Sequence, residues 1–218
     1  MDLDIAQLSN VLAIWMCLVV LLSFHEFAHA WMAYKCGDDT ARIMGRMTVN
    51  PVVHIDPLGT VFIPLAMLLL SPGFVVFGWA KPVPVNPSNL SSRKRDDILI
   101  SMAGPAMNII LAFILMFVSR LMELSPSISN SAIVENLPYI ALLSLFLCFF
   151  NLIPIPPLDG SHVMRHVVGM SEEMYYSIAK WGFLILILIL NFFPLVGVVI
   201  YNISLAVREL MKVLLLFP

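Results

Sequence analysis

The segment His25-Glu26-Phe27-Ala28-His29 sets two imidazoles four positions apart inside an apolar run. On a helix, residues at i and i+4 stack on one face, so both rings can grip one Zn2+ ion at about 2.0–2.1 Å each. Glu26 directly follows the first ligand, where its carboxylate reaches the water that such a metal activates and can act as general base. An ionisable triplet inside an apolar span is costly and is functional by default. The chemistry these residues suit is metal-assisted hydrolysis with one zinc per chain.

A catalytic zinc needs a third protein ligand and an open position. Asp159 fits best, following the break Asn151-Leu-Ile-Pro-Ile-Pro-Pro157 at the end of an apolar segment. Asp56 competes, but its Asp-Pro-Leu-Gly setting reads as a turn. Asn151 has two readings: its amide either assists the oxyanion formed during attack or caps the end of its span. His54 sits in a loop and either binds metal, steers substrate or is structural. His162 and His166 form another i, i+4 pair. With Arg165 between them and no acid in the place of Glu26, they read as an interfacial helix face rather than a second metal site. Gly104-Pro105 either bends its helix or lets it pack closely on the helix that carries the histidines.

The elements that hold these residues must lie in lipid. Of the 218 residues, 60% are hydrophobic and 12% charged, with a mean hydropathy of +0.94; a soluble domain carries about twice that charge. The basic residues form one short run, Arg93-Lys94-Arg95, and the net charge is −2, which excludes nucleic acid as a partner. Cys17, Cys36 and Cys148 lack CxxC spacing, so neither a disulfide framework nor a thiolate site is expected.

A first span is expected over 9–34 with Ser9 as N-cap, and a short or re-entrant segment over 58–70 interrupted by Pro64. Long spans follow over 98–121 and 134–150, then a broken one over 181–201 and an amphipathic run over 202–217. The expected fold is an all-α multi-pass membrane bundle of about four to six spans, at roughly 20 apolar residues per span. Stretches 42–48 and 74–85 are strand candidates. The chain reads as one domain over 1–218, with its core over about 9–170 and a possible gate over about 173–217. Met1–Asn10 has no Lys or Arg, so the first segment is not expected to be a cleaved signal. Lys35, Arg42 and Arg46 after the first span, with Arg93 to Arg95 later, put that span's end toward the cytoplasm. The break before Asp159 falls on the same side.

Three separated motifs agree with one another: His25 to His29, Asn50-Pro51-Val-Val-His54-Ile-Asp56-Pro57-Leu-Gly59, and Asn151 to Gly160. Together with Phe77 to Pro87 and Ser101 to Pro105, they make the chain resemble the site-2 protease family of intramembrane zinc metalloproteases, in its compact form, over about residues 20–170. The resemblance implies His25, His29 and Asp159 as zinc ligands, Glu26 as base and Asn151 as an aid to substrate or oxyanion. It also implies a small membrane-associated β-sheet from residues 42–48 and 74–85 that receives an unwound substrate. The implied substrates are single-span membrane proteins, and the implied location is the cell membrane of a prokaryote. Ser161 and His162 stand where members often have Gly-Arg after the Asp-Gly pair. Neither a PDZ insertion nor a CBS pair fits in 218 residues. The rival reading is a membrane metal transporter or channel lined by the same histidines, which leaves Glu26 without a task.

Overall fold

The computed structural model describes residues 5–63, 79–125, 129 and 131–216. Its helices are α1 (Ile5–Lys35), α2 (Thr40–Ile43), α3 (Arg93–Glu123), α4 (Ala132–Asn151), α5 (Asp159–Val167), α6 (Glu172–Phe192) and α7 (Leu195–Leu214). Single turns at Pro51–Val53, Pro57–Phe62 and Pro87–Asn89 punctuate the long connection from α2 to α3. Among the described residues four helices are long and apolar enough to cross a membrane: α1 from Leu12 onward, α3, α4 and α6. Their outward faces stay apolar, as with Ile109, Ile110, Phe113 and Phe117 on α3. In water such a surface would drive association; facing lipid it costs nothing, and the chain is a multi-pass membrane protein.

Helix α3 is the hub, packed on α1, α4 and α5. Small residues permit the approach: Ala30 and Ala33 on α1, Ala112 on α3 and Ala141 on α4 are fully buried, as expected where helices in lipid associate by close van der Waals contact. Ala112 and Met116 of α3 join Ala141 and Leu145 of α4 and Met211 of α7 in one apolar cluster. A second cluster sets Leu158 against Leu186 and Leu190 of α6. It anchors the loop that leads into α5.

Several sequence expectations shift. Ser9 lies inside α1 rather than capping it, since the helix starts at Ile5. The broken span over 181–201 is two helices parted at Pro194, which cannot continue α6 because it has no N–H to donate. The run from 202 belongs to α7, where Glu209 pairs with Arg208 and Lys212.

The expected β-sheet is corrected: among the described residues there is no strand. Residues 42–48 are helix and turn instead. The Asp38 carboxylate accepts the Thr40 N–H and starts α2, Gly45 takes a left-handed φ of +67°, and the Gly45 and Arg46 N–H groups bond back to Arg42 and Ala41. Those local bonds consume the donors a ladder would need. Residues 74–78 lie outside the described residues.

The 79–86 stretch has the alternating partners of an extended chain but no neighbouring strand among the described residues. The N–H groups of Trp79 and Lys81 donate to the carbonyls of Gly59 and His54, and Arg46 donates to the Lys81 carbonyl at 2.6 Å. Asp38 accepts from the Asn86 N–H at 2.7 Å and from Asn89 at 2.8 Å, closing the loop at its far end. Burial pushes the Asp38 carboxyl up, but the hydrogen bonds from Thr40, Asn86 and Asn89 outweigh it and hold the group below the usual carboxylate range.

Candidate metal centre

His25 and His29 project from the second half of α1, both buried, and their Nε2 atoms lie 3.0 Å apart. Asp159, the first residue of α5, brings Oδ2 to 3.1 Å from His25 Nε2 and Oδ1 to 3.4 Å from His29 Nε2. Two ligands of a tetrahedral zinc at 2.0–2.1 Å stand roughly 3.3 Å from each other, so the three groups have the mutual spacing of ligands. Among the described residues this is the one group of three or more His, Cys, Asp or Glu side chains that meets the spacing of a metal site.

The donor chemistry fits as well. Asp159 Oδ2 is buried and makes no hydrogen bond despite its closeness to His25, an arrangement that costs free energy unless a cation meets it. Burial pushes the Asp159 carboxyl up, but the His29 and His25 rings beside it prevail and hold it well below the usual carboxylate range, so it stands ionised. His29 Nδ1 lies 2.7 Å from the Ile100 carbonyl. A carbonyl only accepts, so Nδ1 carries the proton that meets Ile100, which leaves Nε2 as the nitrogen facing the centre.

Local packing explains how the groups reach one another. A Cβ on Gly104 of α3 would come within 2.3 Å of His29 Nε2 and 2.5 Å of His25 Cε1, so only a glycine lets α3 lie against the two rings. This is the close packing on the histidine helix that Gly104-Pro105 allowed. A Cβ on Gly160 would sit 2.2 Å from the Leu152 carbonyl oxygen. The residue after Asp159 therefore lets α5 start directly under the end of α4.

Glu26 lies one residue from His25, and its Oε2 accepts the Val83 N–H at 3.0 Å. Pro82 and Pro84 flank Val83 and have no N–H, so this is the amide the segment has to offer at that point. Asn151 stands elsewhere in its contacts: Nδ2 donates to the Leu147 carbonyl one turn back in α4. His54 is buried with Nε2 donating to the Thr48 carbonyl, and Asp56 caps its turn by accepting from Leu58 and Gly59. His162 and His166 both turn to Asp97 of α3, at 3.2 Å and 2.6 Å.

Sequence reasoning missed four partners: Ile100, Asn108, Asp97 and the Val83 amide. Asn108 carried a readable signal, being a lone amide in the apolar middle of α3. The other three are backbone groups or surface-type acids whose roles exist only in the folded chain.

Apolar helices that bury two helix-borne imidazoles and a carboxylate, beside a glutamate on the next residue, define a membrane-embedded metallohydrolase. The matches to known proteins name the family. Residues 13–125 and 120–193 match Peptidase family M50, and the chain belongs to that family, the site-2 proteases. It is an intramembrane zinc metalloprotease with Zn2+ as its cofactor. "Putative zinc metalloprotease YwhC" of Bacillus subtilis is 39% identical over 79% of this chain and 77% of its own. "Putative zinc metalloprotease Rip2" of Mycolicibacterium smegmatis is 27% identical over 83% of this chain and 66% of its own. The Mycobacterium tuberculosis protein of the same name is 28% identical over 84% and 67%. No solved structure matches the chain.

Proposed function

We propose that His25, His29 and Asp159 hold the zinc and that Glu26 is the general base for hydrolysis of peptide bonds in or near the transmembrane segment of single-span proteins. The observation that carries this is the convergence of the three candidate ligand atoms around a buried Asp159 oxygen that makes no hydrogen bond, with the Glu26 carboxylate on the residue after His25. Zinc bound there supplies a Lewis acid that acidifies water and polarises a carbonyl. Glu26 takes the water proton as the new C–O bond forms and delivers a proton to the departing amide nitrogen as the C–N bond breaks. The Val83 N–H holds the Glu26 carboxylate through Oε2.

Asn151 supports the oxyanion with its second amide hydrogen, the first being given to Leu147. A substrate helix must unwind locally, since a helical amide is shielded and already hydrogen-bonded. The whole chain acts as one membrane domain, with α6 and α7, parted at Pro194, as the movable side. Lys35, Arg42, Arg46 and the Arg93 to Arg95 run favour a cytoplasmic position for the site, and the relatives favour a bacterial membrane.

The test is cleavage of tagged single-span proteins by the purified chain, with zinc content measured in parallel. Glu26→Gln is expected to keep zinc and lose about 10²–10⁴-fold in kcat, the scale of general-base catalysis. Asp159→Ala is expected to lose both zinc and turnover. Undiminished cutting by Glu26→Gln rules out the assigned base.

A further inference from the structure

Asn108 is fully buried on α3, one helical turn beyond Gly104 and on the same face. Its carboxamide nitrogen lies 3.2 Å from His25 Nδ1, while its Oδ1 is buried without a hydrogen bond. Its backbone carbonyl accepts from Ser144 of α4 at 2.8 Å, so the residue is pinned from behind. The same helix thus faces both imidazoles: Ile100 meets His29 Nδ1 and Asn108 meets His25 Nδ1.

The two partners differ in kind. A carbonyl can only accept, which fixes His29. A carboxamide offers oxygen or nitrogen in nearly the same shape, and which of the two faces the ring follows from the imidazole's tautomer. A histidine that ligates through Nε2 must carry its proton on Nδ1, and that N–H needs an acceptor. With the amide turned so that Oδ1 meets Nδ1–H, the nitrogen takes the place where Oδ1 now lacks a partner. The number of unpartnered atoms is unchanged, and the bond to His25 decides the orientation.

We infer that Asn108 is a positioning residue: its amide oxygen accepts the His25 Nδ1–H and so holds His25 in the tautomer and orientation that present Nε2 to zinc. This rests on the assignment of His25 as a ligand. It assigns a task to an amide that otherwise sits at a cost in the middle of a membrane span.

The experiment uses the full chain in detergent and compares wild type, Asn108→Asp and Asn108→Leu. Zinc affinity is measured by competition with a chromophoric chelator, and cleavage of one substrate is followed alongside. Asp keeps an acceptor and has no donor; Leu has neither. The expected result is that Asn108→Leu binds zinc about 10–100-fold more weakly, the scale of losing a histidine's outer partner, while Asn108→Asp stays within a few-fold of wild type. Equal affinity in Asn108→Leu and wild type overturns the inference, as does an Asn108→Asp that falls as far as Asn108→Leu.

The imidazole 15N spectrum of zinc-loaded wild type guards against a variant that misfolds. His25 is expected to show a protonated Nδ1, and a protonated Nε2 overturns the inference without any substitution. A wild type that binds no zinc at all fails at the ligand assignment instead, a result separable from the Asn108 outcome.

Discussion

Two regions of the molecule use the same parts. His25 and His29 sit four apart on α1 and meet Asp159 from α5; His162 and His166 sit four apart on α5 and meet Asp97 from α3. In the first, the two Nε2 atoms point at each other across 3.0 Å and the carboxylate approaches both. In both, each histidine meets its own oxygen of one carboxylate, but in the second His162 turns Nδ1 and His166 turns Nε2 to it, and the three groups fall outside metal-ligand spacing. The first set has the mutual spacing of metal ligands; the second is a clasp between α5 and α3. An i, i+4 histidine pair with a carboxylate is common to both, and what separates them in the fold is whether the two ring nitrogens converge. The clasp also serves the centre, because it ties α5 to α3 and α5 begins with Asp159.

The sharpest way to break the first arrangement is to fill the space beneath it. Gly104→Ala puts a methyl group where His29 Nε2 and His25 Cε1 already stand, and the rings must move. A misplacement of about 1 Å at a reacting centre costs on the order of 100-fold, so kcat for substrate cleavage is expected to fall by that factor, with weaker zinc retention in the chelator assay. Unchanged zinc affinity and turnover would mean that α3 does not brace the histidines.

Breaking the clasp should do less. Asp97→Asn keeps the shape but removes the charge that His166 meets at 2.6 Å. A hydrogen bond to a charged group contributes about 1.5–3 kcal/mol, so the unfolding midpoint in detergent should drop by the corresponding amount. Zinc binding should weaken less than in Gly104→Ala, because the ligands themselves are untouched. A loss of zinc as large as in Asp159→Ala would instead make Asp97 part of the centre.

How much of this could be read from the chain depends on whether a residue's task is local. The roles proposed for His25, Glu26 and His29 depend on positions one and four apart on a single helix, which sequence order fixes. The spans at α3 and α4 follow from apolar length alone, and Asp159 from its place after a proline-rich break. The 42–48 stretch, a strand candidate in the sequence, is helix and turn because Asp38 and Gly45 impose a helical turn through bonds that a residue pattern does not display. Asn108, Ile100 and Asp97 find their partners across 83, 71 and 69 residues of chain. No local rule connects such positions; the packing of α3 on α1 and α5 does.

The smallest expected effect tests the comparison most directly. If the second set is only a clasp, zinc bound per chain should be the same in wild type and in a His162→Gln, His166→Gln double variant, while the double variant loses a modest part of its stability. Glutamine can still hydrogen-bond the Asp97 carboxylate but offers no imidazole nitrogen to a metal, so the measurement separates the two roles. Metal analysis of the purified proteins after dialysis against micromolar zinc gives the answer. One equivalent in both fits a single centre built on His25, His29 and Asp159. A drop from two equivalents to one would make Asp97, His162 and His166 a second site and erase the distinction, because the carboxylate with one oxygen for each histidine would then be closing around a metal as well.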